Sequence, residues 1–211
     1  MSSASDLSFD LKYGGVLVAF SWPSGDEVFG YDHDYENASE SIKDLSSSIE
    51  MLTTTRPSKM NVIAHSMGSR VLGKAIDLIH ERGHELPHFN NIVLAAPDVD
   101  FNTFRNFAPA IQSSARRTTI YISSADKALW GSSGLHGGDR VGFVRLPYAG
   151  MDVIDIRGVD TSQVLKFGHS YLFDSVLVLN DLFTLVDADR GPERRPNLFR
   201  APDGCWQFEH R

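Results

Sequence analysis

Asn61-Val62-Ile63-Ala64-His65-Ser66-Met67-Gly68 is the stretch on which the fold turns. Asn61 to Ala64 is short and mostly apolar without polar alternation, the pattern of a strand covered on both faces. From about Met67 to Arg82, Val71, Leu72, Ala75, Ile76 and Ile79 recur on one side of a helix, and Gly83 stops it. A buried strand therefore runs through a tight, small-residue turn straight into a helix, with Ser66 in the turn.

Working outward, the same alternation of apolar runs and amphipathic stretches continues from residue 16 to about 186. Val16 to Ser21, Asn91 to Ala96, Thr118 to Ser123 and Met151 to Ile156 read as further strands. Ala38, Ile42, Leu45, Ile49 and Leu52 form one helical stripe. A weaker helix spans Phe101 to Ser113, where Pro109 is expected to kink or split it. A last helix, Tyr171 to Val186, is expected to bury Val176, Leu179, Leu182 and Phe183. This order implies an α/β domain over residues 8–186, a mainly parallel sheet flanked by helices. From Asp187 onward Gly191, Pro192, Pro196 and Arg190, Arg194 and Arg195 suggest a solvated polar tail, residues 187–211, with Trp206 and Phe208 pinning its end.

Composition narrows the function classes. The 211 residues hold 20 Lys and Arg against 27 Asp and Glu, a net charge of −7, with the basic residues scattered. That argues against an electrostatic nucleic-acid binder. One cysteine, Cys205, excludes an intrachain disulfide and any multi-cysteine metal site. The longest apolar runs are five residues, against the roughly 18 needed to span a bilayer. Met1 to Leu11 lacks the basic and apolar regions of a signal peptide, so the chain as written is expected to stay in the cytoplasm.

Two motifs overlap at the turn. Small residues two before and two after a serine, here Ala64 and Gly68, are what a strained strand-to-helix turn requires where helix and strand approach closely. Such a turn exposes the Ser66 hydroxyl at the C-terminal edge of the sheet and aims the Met67 N–H at a developing oxyanion. A serine that only caps a helix is the plainer alternative. Gly68-Ser69-Arg70-Val71-Leu72-Gly73-Lys74 also matches the first seven positions of a phosphate-binding P-loop. Its eighth position is Ala75 where Mg²⁺ binding needs Ser or Thr, and the segment reads as helix, not loop.

A serine nucleophile needs a histidine base and a carboxylate to orient it. The chain order Ser, acid, His leaves His136, His169 and His210 as bases. His169, in Gly168-His169-Ser170 after the last strand, is the choice. For the acid, Asp126 ends the turn after Thr118 to Ser123; Asp98, one strand earlier, is the rival, and Asp100 reads as a helix cap. His65 reads as packing. Asp32, His33 and Asp34 carry metal-ligand chemistry but read as a solvated loop, so no metal or cofactor is expected.

The ordered set resembles a poorly characterised bacterial α/β-hydrolase family of esterase or lipase type, over about residues 8 to 186. It comprises Phe20-Ser21-Trp22-Pro23-Ser24, Tyr31 to Leu52, the Ala64 to Gly68 elbow, Ala96-Pro97-Asp98-Val99-Asp100, the Asp126 turn, Leu135-His136-Gly137-Gly138 and Gly168-His169-Ser170. The resemblance implies a serine hydrolase for small-molecule esters with Ser66, Asp126 and His169 as triad. It also implies a central strand ending in His-Gly, the source of a second oxyanion N–H, before Val16. This chain has none, and losing one such donor costs about 10² to 10³ in rate. Three readings stay open: an N-terminally truncated fold, a homo-oligomer that supplies the strand by self-association, or an inactive remnant serving as a binding module.

Overall fold

The computed structural model describes residues 14–23, 31–123, 140–157, 159 and 175–209, with 31–35 as backbone alone. In chain order the elements are α1 (Tyr31–Glu40), α2 (Ile42–Thr54), β1 (Asn61–His65), α3 (Met67–Glu81), β2 (Phe89–Ala95), α4 (Phe101–Ser114), β3 (Ala115–Ile122), β4 (Asp152–Asp155), α5 (Val176–Val186), β5 (Leu198–Arg200) and β6 (Trp206–Phe208). Short 3₁₀ turns lie at Val141–Phe143 and Pro192–Arg194. The strands form one six-stranded sheet in the order β1-β2-β3-β4-β6-β5. It is parallel except for the β5–β6 pair.

The absence of polar alternation in the central strands follows from two cores. Along β2, Ile92 and Leu94 enter a core shared with Leu72, Ile76 and Ile79 of α3 and Phe104, Phe107 and Ile111 of α4. Val93 and Ala95 point the other way, toward Tyr121, Ile154 and Val178, Leu182 and Leu185 of α5. Successive residues thus face opposite cores, and both must be apolar. Gly83, in the left-handed region at φ 68°, follows α3 as its stop.

Gly73 explains the close packing of α3 on α4: a Cβ there would overlap the Phe107 ring. The α4 helix continues through Pro109 instead of splitting, supported by its buried Phe104, Phe107 and Ile111 face. No described helix is long and apolar enough to cross a membrane.

Several expectations need correction. Val16 to Ser21 is not a strand: it carries no β assignment, and Val16 and Val18 are 88% and 60% exposed. An apolar run becomes a strand only with a neighbour to share its ladder, and among the described residues none pairs with it. Residues 187–209 are not a solvated tail. They supply β5 and β6, and Arg195 is buried against Asp181 at 3.0 Å and the Tyr121 hydroxyl at 3.3 Å. That pairing also turns α5: Val178, Asp181, Leu182, Leu185 and Val186 are buried, while Val176 and Phe183 are exposed. Asp32, His33 and Asp34 lie in the backbone of α1, not in a loop. Cys205 is fully buried beside β6.

Candidate active site

The elbow is built by a strand that stops one residue before its hydrogen bonds do. β1 pairs with β2 through His65 opposite Ala95, and the Ser66 N–H still donates to the Ala95 carbonyl at 2.9 Å. Ser66 then adopts φ 51°, ψ −124°, a region that a residue with a Cβ rarely enters, and Met67 opens α3. The plainer role of helix cap finds no support, because the Ser66 side chain makes no capping bond. The turn is locked from both sides. The Ser69 hydroxyl donates back to the Ala64 carbonyl at 3.1 Å, and the Ser66 carbonyl accepts from Ser69 N–H at 3.0 Å and from Asp98 N–H at 3.2 Å.

Ala64 is buried in the core beneath the turn, and Gly68 lies under the Trp22 indole, which would stand 3.6 Å from a Cβ at that position. Met67 is the first helical residue, so its N–H belongs to the turn that makes no intrahelical bond. Ser66 sits at the C-terminal end of a parallel strand, the rim where open α/β sheets bind their ligands. The P-loop reading fails here: Gly68 to Lys74 is helix throughout, Gly73 is explained by Phe107, and burial together with nearby Arg70 lowers the Lys74 pKa.

Asp126 and His169 lie outside the described residues, as do Leu135 and His136. In chain order Asp126 follows β3 and His169 follows β4. Asp98, the rival acid, is 3% exposed, with the Arg140 guanidinium 3.4 Å from its carboxylate. Asp100 caps α4 as expected, accepting from the Thr103 N–H at 2.9 Å. Its burial raises the carboxyl pKa, but the bonds from Thr103 and the Arg140 charge outweigh that and hold it below the usual carboxylate value. Among the described residues no group of His, Cys, Asp and Glu is arranged to hold a metal ion.

The sequence pattern gave no hint of Arg140, Val141 and Gly142. Val141 N–H donates to the Val99 carbonyl and Gly142 N–H to the Pro97 carbonyl, each at 2.9 Å, so this turn packs against the loop that follows β2. A short backbone turn with neither periodicity nor a motif leaves no signal; only the contacts reveal it.

Comparison with known proteins agrees with this architecture. Residues 1–186 match the family described as "Alpha/beta hydrolase of unknown function (DUF900)". Over 76 residues, 36% of this chain, the sequence is 34% identical to "Uncharacterized protein alr1448" of Nostoc sp. (strain PCC 7120 / SAG 25.82 / UTEX 2576), and that stretch spans 20% of the relative's length. No solved structure matches the chain. With the family match extending from the first residue through α5, and an elbow serine at the head of α3, the chain belongs to this α/β-hydrolase family.

Proposed function

We propose that the protein is a serine hydrolase that cleaves carboxylic esters through an acyl-enzyme, with Ser66 as nucleophile, His169 as base and Asp126 as its orienting acid. The observation that carries this reading is the Ser66 backbone at φ 51°, ψ −124° between a parallel strand and a helix N-terminus, strain without a capping role to account for it. Ser66 Oγ attacks the acyl carbon while His169 takes its proton. The Met67 N–H binds the oxyanion. His169 then protonates the departing alcohol, and water repeats the sequence on the acyl-enzyme.

Labelling with a fluorophosphonate probe tests the nucleophile: the purified chain should label, and Ser66→Ala should abolish both labelling and turnover of p-nitrophenyl esters. Equal labelling of the two proteins would sink the assignment.

One observation favours a second reading, an inactive remnant or binding module. β1 has no neighbour on its outer edge among the described residues, and the resemblance puts the strand with the second oxyanion donor there. Ester turnover lost on Ser66→Ala rules that reading out. The same edge supports self-association through a strand supplied by a second copy. Light scattering decides it, a mass of one chain counting against it.

A further inference from the structure

The loop after β2 is held from two directions. On one side Asp98 N–H donates to the Ser66 carbonyl at 3.2 Å. On the other, Pro97 C=O accepts from Gly142 N–H, and Gly142 C=O accepts from Ser123 N–H, both at 2.9 Å. Gly142 is thus the central link of a backbone chain from the nucleophile's own carbonyl to the outgoing end of β3. Ser123 stands three residues ahead of Asp126 in the sequence. Pro97, Asp98, Ser123 and Gly142 are buried and Ser66 is half-buried, so the bonds between the loop, Gly142 and β3 have little competition from water.

Glycine is required at this link on steric grounds. A Cβ at 142 would stand 2.7 Å from the Ala96 carbonyl carbon and 2.8 Å from Pro97 N and O. All three are backbone atoms, and Ala96 is itself held at φ 45° with its N–H bonded to the Tyr121 carbonyl. They cannot swing aside as a side chain could. The turn would have to move away, lengthening the bonds to Pro97 and Ser123 together. Arg140 braces the junction with side chains, its guanidinium on Asp98 and its backbone bridged to Asp100.

We propose that Gly142, braced by Arg140, is a positioning residue of the Ser66 site: it sets the distance between the nucleophile elbow and the end of β3 that leads to Asp126. The inference rests on the serine-hydrolase reading. A misplacement of about 1 Å at the acid costs on the order of 10² in rate.

The test is Gly142→Ala in the full chain, assayed with p-nitrophenyl acetate. The expected result is a fall in kcat of about 10²-fold with KM within about twofold. The acid limb of the kcat/KM profile should also move to lower pH, because a carboxylate drawn away from the imidazole no longer favours its charged form. General loosening of the fold would not move that limb. Should Gly142→Ala not fold, Arg140→Gln and Arg140→Lys replace it. Gln is expected to reproduce the pH shift with a smaller rate loss, and Lys, which keeps the charge beside Asp98, to restore the wild-type profile. An unlabelled, inactive wild type overturns the hydrolase reading and this inference with it. An active wild type whose folded variants keep rate and pH profile overturns this inference alone.

Discussion

At one end of the sheet β1 pairs, among the described residues, with β2 alone, its strand half-buried except at Ala64, and the apolar segment 16–20 lies exposed. At the other end β6 joins β4 in parallel and β5 folds back on it, three residues each, a short closing hairpin of the kind that blunts a sheet edge. Beneath that end Tyr121 of β3, Asp181 of α5 and Arg195 form a buried network, with 2.5 Å from the tyrosine hydroxyl to the carboxylate. Arg145 ties Asp155 of β4 to Gln207 of β6, at 2.9 and 2.7 Å, and also binds Asp203. Two arginines clamp the end away from Ser66 through buried side-chain networks, whereas at the elbow backbone bonds are supplemented by the Ser69 hydroxyl on the Ala64 carbonyl and by Arg140 on Asp98. The contrast separates two tasks: one end secures the chain, the other keeps a strained serine at the rim of the sheet.

The sharpest way to break the closed end is Arg195→Met. It leaves the Asp181 carboxylate buried without its cation, and removing one partner of such a pair typically costs about 3 to 5 kcal/mol. Urea unfolding would show this as a lower midpoint. The loss should shrink as pH falls, because burial already raises the Asp181 pKa against the Arg195 charge, and protonation relieves the stranded charge.

A milder probe is Asp203, whose pKa lies below the usual carboxylate value chiefly through its hydrogen bonds from Arg145. Its share of stability is complete above the unfolded value of about 3.8 and is lost as pH falls through the lower folded one. The stability gap between the wild type and Asp203→Asn should therefore close in acid. At the open end Val18→Lys should do least, within about 0.5 kcal/mol, since the side chain is already in water. A large loss there would mean that the segment is covered in solution and that the two ends are less different than they look.

The same contrast marks how far the sequence could be read. β1 to β4 and α3 are legible because each is a short apolar run without polar alternation or carries a clean helical stripe, patterns contained within the segment itself. The elbow is legible because a short apolar strand, a small-residue turn and a helical stripe follow one another without a break in the sequence. β5 and β6 are not. Each is too short to show a period, and their place depends on Arg195 reaching Asp181 and Tyr121, contacts that no local pattern encodes. Val16 to Ser21 misleads for the opposite reason: its composition is that of a strand, and strand formation also needs a partner. Asp126 and His169 rest on chain order, on the turn and loop that carry them in the sequence, and on the resemblance.

Cys205 has a practical consequence. Its side chain is fully enclosed, and burial, with Asp203 adding to it, pushes the thiol pKa up, so little thiolate forms at neutral pH. The chain thus carries a single native sulfhydryl that is chemically quiet. A cysteine introduced at Val16 or Val18 would be the one reactive sulfur in the molecule, and a fluorophore or spin label there would report directly on whether that segment stays in solvent or finds a cover.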